Sequence, residues 1–333
     1  MVSASPHYPV MLQEMLHYLA PQSHEIYVDA TLGAGGYTRA ILAQNPDCRV
    51  IAFDRDPLPH AMAQQWAGEY GERLTLVKSG FGDMQHALAA LGVTRVDAVV
   101  LDLGVSSMQL DQPERGFSFR FDAPLDMRMD TTTGQSAADL VNTLPQDDLA
   151  DILYQYGEER ASRKIAAAIV KARQTQKITR TSELVAIIHS VLPRHPRDKI
   201  DPATRSFQAL RIAVNRELEE LEQVLTAAEN ILKPGARLIV VTFHSLEDRI
   251  VKNFLNARAK PQPAPSRHMP HIPQAPQMQN SKNAAHALTF KLLNSKPVQA
   301  SVEEISQNSR SRSAKLRAAV RLASVTQQMA GES

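Results

Sequence analysis

The chain has 333 residues, 43% apolar and 22% charged, enough to bury the core of one large domain or two ordinary ones. A net charge of +2 gives no bulk signal for a nucleic-acid partner, so local clusters must supply one. Cys48 is the one cysteine, which excludes an intramolecular disulfide and the cysteine-ligated zinc centres of nucleobase deaminases; no metal is expected.

In chain order, no basic region followed by a long apolar run marks a signal peptide. No uncharged stretch approaches the ~20 residues of a membrane span, so a cytoplasmic protein without a membrane partner is expected. Positions 7–20 predict an amphipathic helix after Pro9, with the methionines as core. Ile26-Tyr27-Val28-Asp29-Ala30 is a β-rich run broken by Gly33-Ala34-Gly35-Gly36, and a helix follows over 37–45. Strands are predicted at 49–53, 74–77 and 97–102, with helices at 60–70 and 84–91 between them. Trp66 reads as packing. Continuous apolar strands alternating with helices predict a parallel sheet covered on both faces.

The alternation stops after Asp102. Between 110 and 204 the pattern gives helices at 147–156, 161–174 and 181–191 and no convincing strand. A helix starting at Arg205 and running past Leu225 leads to a strand at 237–242. The expected organisation is therefore a discontinuous α/β domain, 1–109 and 205–333, carrying an inserted helical domain, 110–204, for substrate recognition. The proline-rich segment 260–285 reads as loop or disorder, 287–293 as a last strand, and the chain from Ser309 as a basic tail.

The strand, glycine loop and helix from Ile26 onward form a nucleotide-type site at the carboxyl end of a strand. Asp54 closes the second strand 21 positions after Gly33, where an acid meets ribose hydroxyls in such folds. A dinucleotide fingerprint would need a third glycine where Thr38 stands. Asp29 and Asp102 would surround the ligand with negative charge. That suits S-adenosylmethionine, whose sulfonium and ammonium are cations, better than the pyrophosphate of NAD. An NAD-dependent oxidoreductase and a non-catalytic RNA-binding assembly factor are the alternatives.

Phe243-His244-Ser245 follows the last strong strand and so lies on the ligand side of the sheet. His244 is a candidate for contact with substrate, and Ser245 for the cap of the following helix. From Arg160 to Arg211 the chain has twelve basic residues opposed by Glu183, Asp198 and Asp201. With the Pro193-Arg194-His195-Pro196-Arg197 loop and the basic tail, this excess reads as a phosphate footprint for RNA.

Longer motifs carry a resemblance. They include His7-Tyr8-Pro9-Val10-Met11-Leu12, Asp29-Ala30-Thr31-Leu32-Gly33-Ala34-Gly35-Gly36-Tyr37-Thr38, and Asp54-Arg55-Asp56-Pro57. Next come Asp102-Leu103-Gly104-Val105-Ser106-Ser107-Met108-Gln109, Glu114-Arg115-Gly116-Phe117 and Pro124-Leu125-Asp126-Met127-Arg128. Ala203-Thr204-Arg205-Ser206-Phe207-Gln208 and Phe243-His244-Ser245-Leu246-Glu247-Asp248-Arg249 complete the set. In this order the chain resembles the bacterial 16S rRNA (cytosine-N4)-methyltransferases, the RsmH/MraW family, over nearly its full length.

The resemblance implies a Rossmann-like S-adenosylmethionine-dependent methyltransferase with an inserted, mostly helical domain. It implies methyl transfer to the N4 amine of a cytidine in the decoding region of small-subunit rRNA, on the RNA or the assembling subunit, and leaves a homodimer open. It implies cofactor contacts from Gly35, Gly36, Tyr37, Asp54, Phe81, Asp102 and Gln109. Asp102 and His244 are the candidate catalytic residues, with Asp102 accepting from the amine or serving the cofactor alone. Tyr37 and Met108 depart from the common family pattern of His and Pro, and Met108 is expected to loosen the turn before Gln109.

Overall fold

The computed structural model describes residues 9–198, 200–261 and 288–323. Five parallel strands form the centre of the molecule: β1 (Ile26–Asp29), β2 (Arg49–Asp54), β3 (Leu74–Lys78), β4 (Val96–Asp102) and β5 (Leu232–Thr242). Three antiparallel strands extend them: β6 (Phe290–Leu292), β7 (Val298–Gln299) and β8 (Lys315–Arg321). The order is β3-β2-β1-β4-β5-β8-β6, with β7 also on β8. The direction of winding reverses between β1 and β4, and that reversal opens a crevice at their carboxyl ends.

Thirteen helices accompany the strands among the described residues. α1 (Leu12–Leu19), α2 (Gly36–Gln44), α3 (Pro57–Ala63), α4 (Met84–Ala90) and α5 (Ser107–Asp111) belong to the first half. α6 (Ala137–Thr143), α7 (Gln146–Gly157), α8 (Ser162–Arg173), α9 (Thr181–Val191) and α10 (Ala203–Asn215) follow without a strand between them. α11 (Glu217–Ile231), α12 (Ser245–Ala259) and α13 (Val302–Gln307) return to the sheet. Alternate strand residues face opposite layers. Val28, Phe53, Val99 and Leu101 pack with α4, α11 and α12, while Tyr27, Ala52, Ala98 and Val100 pack with α1 and α2. A separate core, from Phe117 and Leu125 through Leu153, Ile165 and Leu184 to Phe207 and Leu210, holds the helical segment and includes α10.

Several sequence expectations need correction. The helix at 60–70 is two pieces, α3 and a 3-10 stretch Ala67–Arg73 interrupted at Gly71, which has φ +52°. The long helix from Arg205 breaks at Arg216, whose left-handed φ of 52° turns the chain between α10 and α11. Asn215 holds that turn: its amide donates to Met127 O at 2.8 Å and its carbonyl accepts from Met129 N at 2.7 Å. Hydrophobic periodicity passes through such a break because both flanking helices bury the same side. The supposed basic tail is not a tail. Leu316, Ala318 and Ala319 insert β8 between β5 and β6, and Lys315 and Arg317 pair with Asp248. The first helix starts at Leu12, after Met11 in the left-handed region. The proposed loop or disordered stretch at 260–285 lies, past residue 261, outside the described residues, as does His7.

The helical segment is tightly spaced at Gly157, where α7 crosses α10. A Cβ there would lie 2.7 Å from the backbone oxygen of Arg205. Gly157→Ala should therefore destabilise the protein by about 1–3 kcal/mol, read as a lower urea midpoint at unchanged slope. A wild-type midpoint would show that the two helices do not approach so closely.

Candidate active site

The crevice at the strand tips is a cavity of about 550 Å³, ample for a nucleoside cofactor. Its floor is the loop after β1. Leu32 N donates to Phe53 O, which ties the loop to β2, and Gly35 N donates to Leu32 O. Neighbouring side chains dictate two of the glycines. A Cβ on Gly35 would sit 2.3 Å from Trp66 Cζ2, and one on Gly36 would sit 2.1 Å from Pro9 Cγ. Trp66 packs as expected, edge to face with Tyr70. Gly35 has φ +79° and caps α2, whose first residues, Gly36 and Tyr37, line the cavity with N–H groups that have no partner within the helix.

Three carboxylates surround this loop, and none is in an ion pair with a described residue. Asp29 is fully buried; its oxygens accept from Thr31 N at 3.1 Å and from Thr38 Oγ1 at 2.7 Å. Thr38, which breaks the dinucleotide pattern, thus anchors an acid. Burial raises the pKa of Asp29. Asp54 accepts from Gly33 N at 3.0 Å and Asp56 N at 2.9 Å, and burial pushes it up to about 6. Asp102 ends β4, and its N–H donates to Thr31 Oγ1 at 2.7 Å. Its Oδ1 is buried with no hydrogen-bond partner among the described residues. Burial, with the charges of Asp29, Glu247 and Glu304, raises Asp102 well above the carboxylate range. A buried acceptor without a donor is costly. A ligand that brings positive charge and N–H or O–H donors removes that cost, and S-adenosylmethionine has both.

The loop after β4 forms a wall. Ser106 caps α5 in a reciprocal box with Gln109, so Met108 does not loosen the turn as expected. Gln109 Nε2 donates to Asp56 Oδ2 at 2.8 Å, and its Oε1 accepts from Ser106 N at 2.9 Å. Arg115 reaches the same Asp56 oxygen at 2.8 Å and also donates to the carbonyls of Arg128 and Met129. The buried Asp56 is therefore the hub that ties the loops after β2 and β4 together, and it also caps α3. Its local signal in the sequence, Asp before Pro57, marks a helix start and not a site.

Of the expected cofactor contacts, the cavity wall brings together Gly36, Tyr37, Asp54, Phe81, Asp102 and Gln109. Gly35 sits behind it, against Trp66. The Tyr37 hydroxyl donates to Val10 O, so this residue faces the wall with its backbone. His244 is off the wall, whereas Phe243 is on it. His244, not Ser245, caps α12, because its ring nitrogen accepts from Glu247 N. Ser245 Oγ instead donates to Glu158 Oε2 at 3.1 Å. His244, Glu247 and Glu217 cluster with ligand atoms within 4.8 Å of one another. Arg211 grips Glu217, and His244 Nε2 lies 3.1 Å from Glu247, buried and without a hydrogen bond to a described residue. Arg211 was counted with the RNA footprint, but it faces inward onto the cavity.

A reversed parallel sheet, a glycine loop, an acid at the end of β2 and an unpartnered acid at the end of β4 define a Rossmann-like S-adenosylmethionine-dependent methyltransferase. The sequence profile of the MraW methylase family matches residues 4–322, and the chain belongs to that family. The "Ribosomal RNA small subunit methyltransferase H" of Paramagnetospirillum magneticum is 53% identical over 97% of this chain and 98% of its own. The protein of the same name from Rhodospirillum rubrum is 52% identical over 96% of each chain. A solved rRNA methylase from Streptococcus thermophilus aligns at 13% identity and a TM-score of 0.39, over 96% of this chain and 100% of that one, too distant to transfer contacts. Neither the oxidoreductase nor the non-catalytic factor finds support here, since both curated relatives are named methyltransferases.

Asp54→Ala should weaken S-adenosylmethionine binding by about 1.5–3 kcal/mol, the worth of a hydrogen bond to a charged group. Titration calorimetry would read this as a dissociation constant raised on the order of 10–100-fold. A constant within twofold of wild type would remove Asp54 from the site.

Proposed function

We propose that this protein transfers the methyl group of S-adenosylmethionine to the N4 amine of a cytidine in small-subunit rRNA. The observation that carries the reading is the buried, unpartnered Asp102 Oδ1 on a cavity wall it shares with Asp54 and Phe81. The names of the relatives support the RNA substrate. When bound, S-adenosylmethionine supplies an electrophilic methyl on a sulfonium. Asp54 would accept from the ribose hydroxyls, Phe81 would cover the adenine, and the N–H groups of Gly36 and Tyr37 would receive the methionine carboxylate. Gln109 and Asp56 fix the wall against which these groups lie. The chain's remaining task is alignment, because an aromatic amine is a weak nucleophile and needs an in-line approach. Asp102 Oδ1 would accept one N4–H, keep electron density on the nitrogen as its bond to carbon forms and the sulfur–carbon bond breaks, and take the proton that the amine then loses. His244, held by Glu247 behind the wall, positions Phe243.

The division into 1–109 with 205–333 and an inserted 110–204 is kept in this reading with one adjustment: Phe207, Ala209 and Leu210 of α10 pack in the helical core, so α10 belongs with the insertion, whose core it carries across to the cavity. Of the basic residues counted from the sequence, Arg180, Arg194 and Arg211 are in ion pairs. Arg160, Arg163, Lys164, Lys171, Lys177 and Arg205 are exposed and have no ion pair among the described residues. This helical face is the RNA surface of the reading, without the contribution expected from β8; Lys199 lies outside the described residues. Among the described residues no helix is long and apolar enough to cross a membrane; an rRNA substrate supports the cytoplasm as the site of action in this reading.

Two experiments test the proposal. Small-subunit rRNA from cells lacking the protein should lose one methyl group on a single cytidine, read by nucleoside mass spectrometry; an unchanged profile would sink the substrate. Asp102→Asn should lower the single-turnover rate at saturating cofactor by ~10²-fold. A weaker dissociation constant with an unchanged rate would leave Asp102 a cofactor residue only.

A further inference from the structure

Tyr37, Phe81 and Phe243 are the aromatic residues on the cavity wall. Tyr37 is buried, and its hydroxyl is spent on Val10 O. Phe81 and Phe243 are half-buried, and no ring of another described residue stacks on either. They stand on opposite sides of the crevice. Phe81 follows β3, beyond Asp54 on β2, whereas Phe243 follows β5, and Asp102 on β4 lies between them.

Phe243 is held beside Asp102. Asp102 pairs with Val241 in the register of β4 and β5, and Leu103 N donates to Val241 O at 3.0 Å. Two residues further along each chain, a Cβ on Gly104 would lie 3.6 Å from Cδ2 of Phe243, so the ring edge borders the loop that follows Asp102. Glu247 Oε2 accepts from Phe243 N at 2.8 Å and from His244 N at 3.2 Å, which fixes the backbone of this ring from behind. Glu247 is also near enough for its charge to act on Asp102. The tips of β4 and β5 thus present an unclaimed aromatic ring next to the acid that would receive the amine.

A base taken out of its helix loses its stacking neighbours and needs an aromatic or apolar face to replace them. A stack also fixes the plane of the base, and the N4 amine lies in that plane. We propose that Phe243 is the face on which the target cytosine stacks, with its amine directed at Asp102. Phe243 is then a substrate-binding residue, and Glu247 and His244 are positioning residues that act through it. The crevice is divided accordingly: the tips of β2 and β3 serve the cofactor, and those of β4 and β5 the base. The inference rests on the cytidine-N4 reading above.

The test is a cycle on RNA binding, read with S-adenosylhomocysteine, the demethylated cofactor, bound so that no chemistry follows. The proteins are wild type, Phe243→Leu, which keeps apolar volume without a π face, and Phe243→Tyr, which restores the ring. The RNAs are small-subunit rRNA fragments carrying cytidine or an abasic nucleotide at the target. Phe243→Leu should weaken binding of the cytidine RNA on the order of 10-fold, the lower part of what a base–aromatic stack is worth, and leave the abasic RNA within about twofold. Phe243→Tyr should recover most of that difference. An equal loss on both RNAs would overturn the role, since the ring would then support the wall and not the base. So would a cofactor dissociation constant raised about tenfold in a Phe243→Leu protein that melts like wild type, because the ring would then belong to the cofactor. Should Phe243→Leu not fold, Phe243→Met takes its place. Wild type forming no N4-methylcytidine on the cytidine RNA with S-adenosylmethionine would instead sink the parent reading and this one with it, a result unlike either of those.

Discussion

The structure turns on three carboxylates brought together at the tips of β1, β2 and β4, with no ion pair to a described residue. Asp29, Asp54 and Asp102 each accept or sit beside backbone and hydroxyl donors, yet burial still raises all three. In most proteins buried acids are paired, because unpaired ones cost several kcal/mol. Here the charges that would pair them lie elsewhere: Arg115 serves Asp56, Arg211 serves Glu217, and Arg55 serves Glu220. The crevice therefore offers buried carboxyl groups whose ionised forms lack a paired cation, and that suits a ligand that carries its own positive charge.

The rest of the fold keeps that arrangement in place. The reversal of strand order between β1 and β4 makes the crevice, and Pro9 and Trp66 fix the glycine loop from outside it. Asp56 joins the loops after β2 and β4 through Gln109 and Arg115. The helical segment adds the last wall through α10, whose end is held by Asn215 against the chain at Met127 and Met129. One polar residue thus couples the orientation of the helical core to the cavity. The same helix brings Arg211 to the wall on one side and exposes Arg205 on another.

Much of this is legible in the sequence. The central strands, the glycine loop and the spacing to Asp54 follow from local rules, because a parallel strand is a short apolar run and the acid closes it. What escaped is long-range. Nothing local says that 315–321 is a strand, since its lysine and arginines become intelligible only beside Asp248 and β5. Likewise, Arg211 looks like surface charge until Glu217 turns it inward. The break at Arg216 and the hub at Asp56 depend on side chains from other loops. The cap of α12 was misassigned by one residue, since a histidine nitrogen took the place expected for a serine hydroxyl.

The cofactor's positive charge offsets the acids of the crevice. A carboxyl whose folded pKa exceeds its unfolded value stabilises the empty protein fully in acid. That contribution is lost as pH rises from the ordinary carboxylate range through about 6, the value for Asp54. Bound S-adenosylmethionine removes the penalty, whereas acids elsewhere titrate alike with and without it. The most direct measurement is the difference in melting temperature between cofactor-saturated and cofactor-free protein, followed from about pH 5 to about pH 8. The account predicts that this difference widens as pH rises; a difference that stays constant or narrows would contradict it.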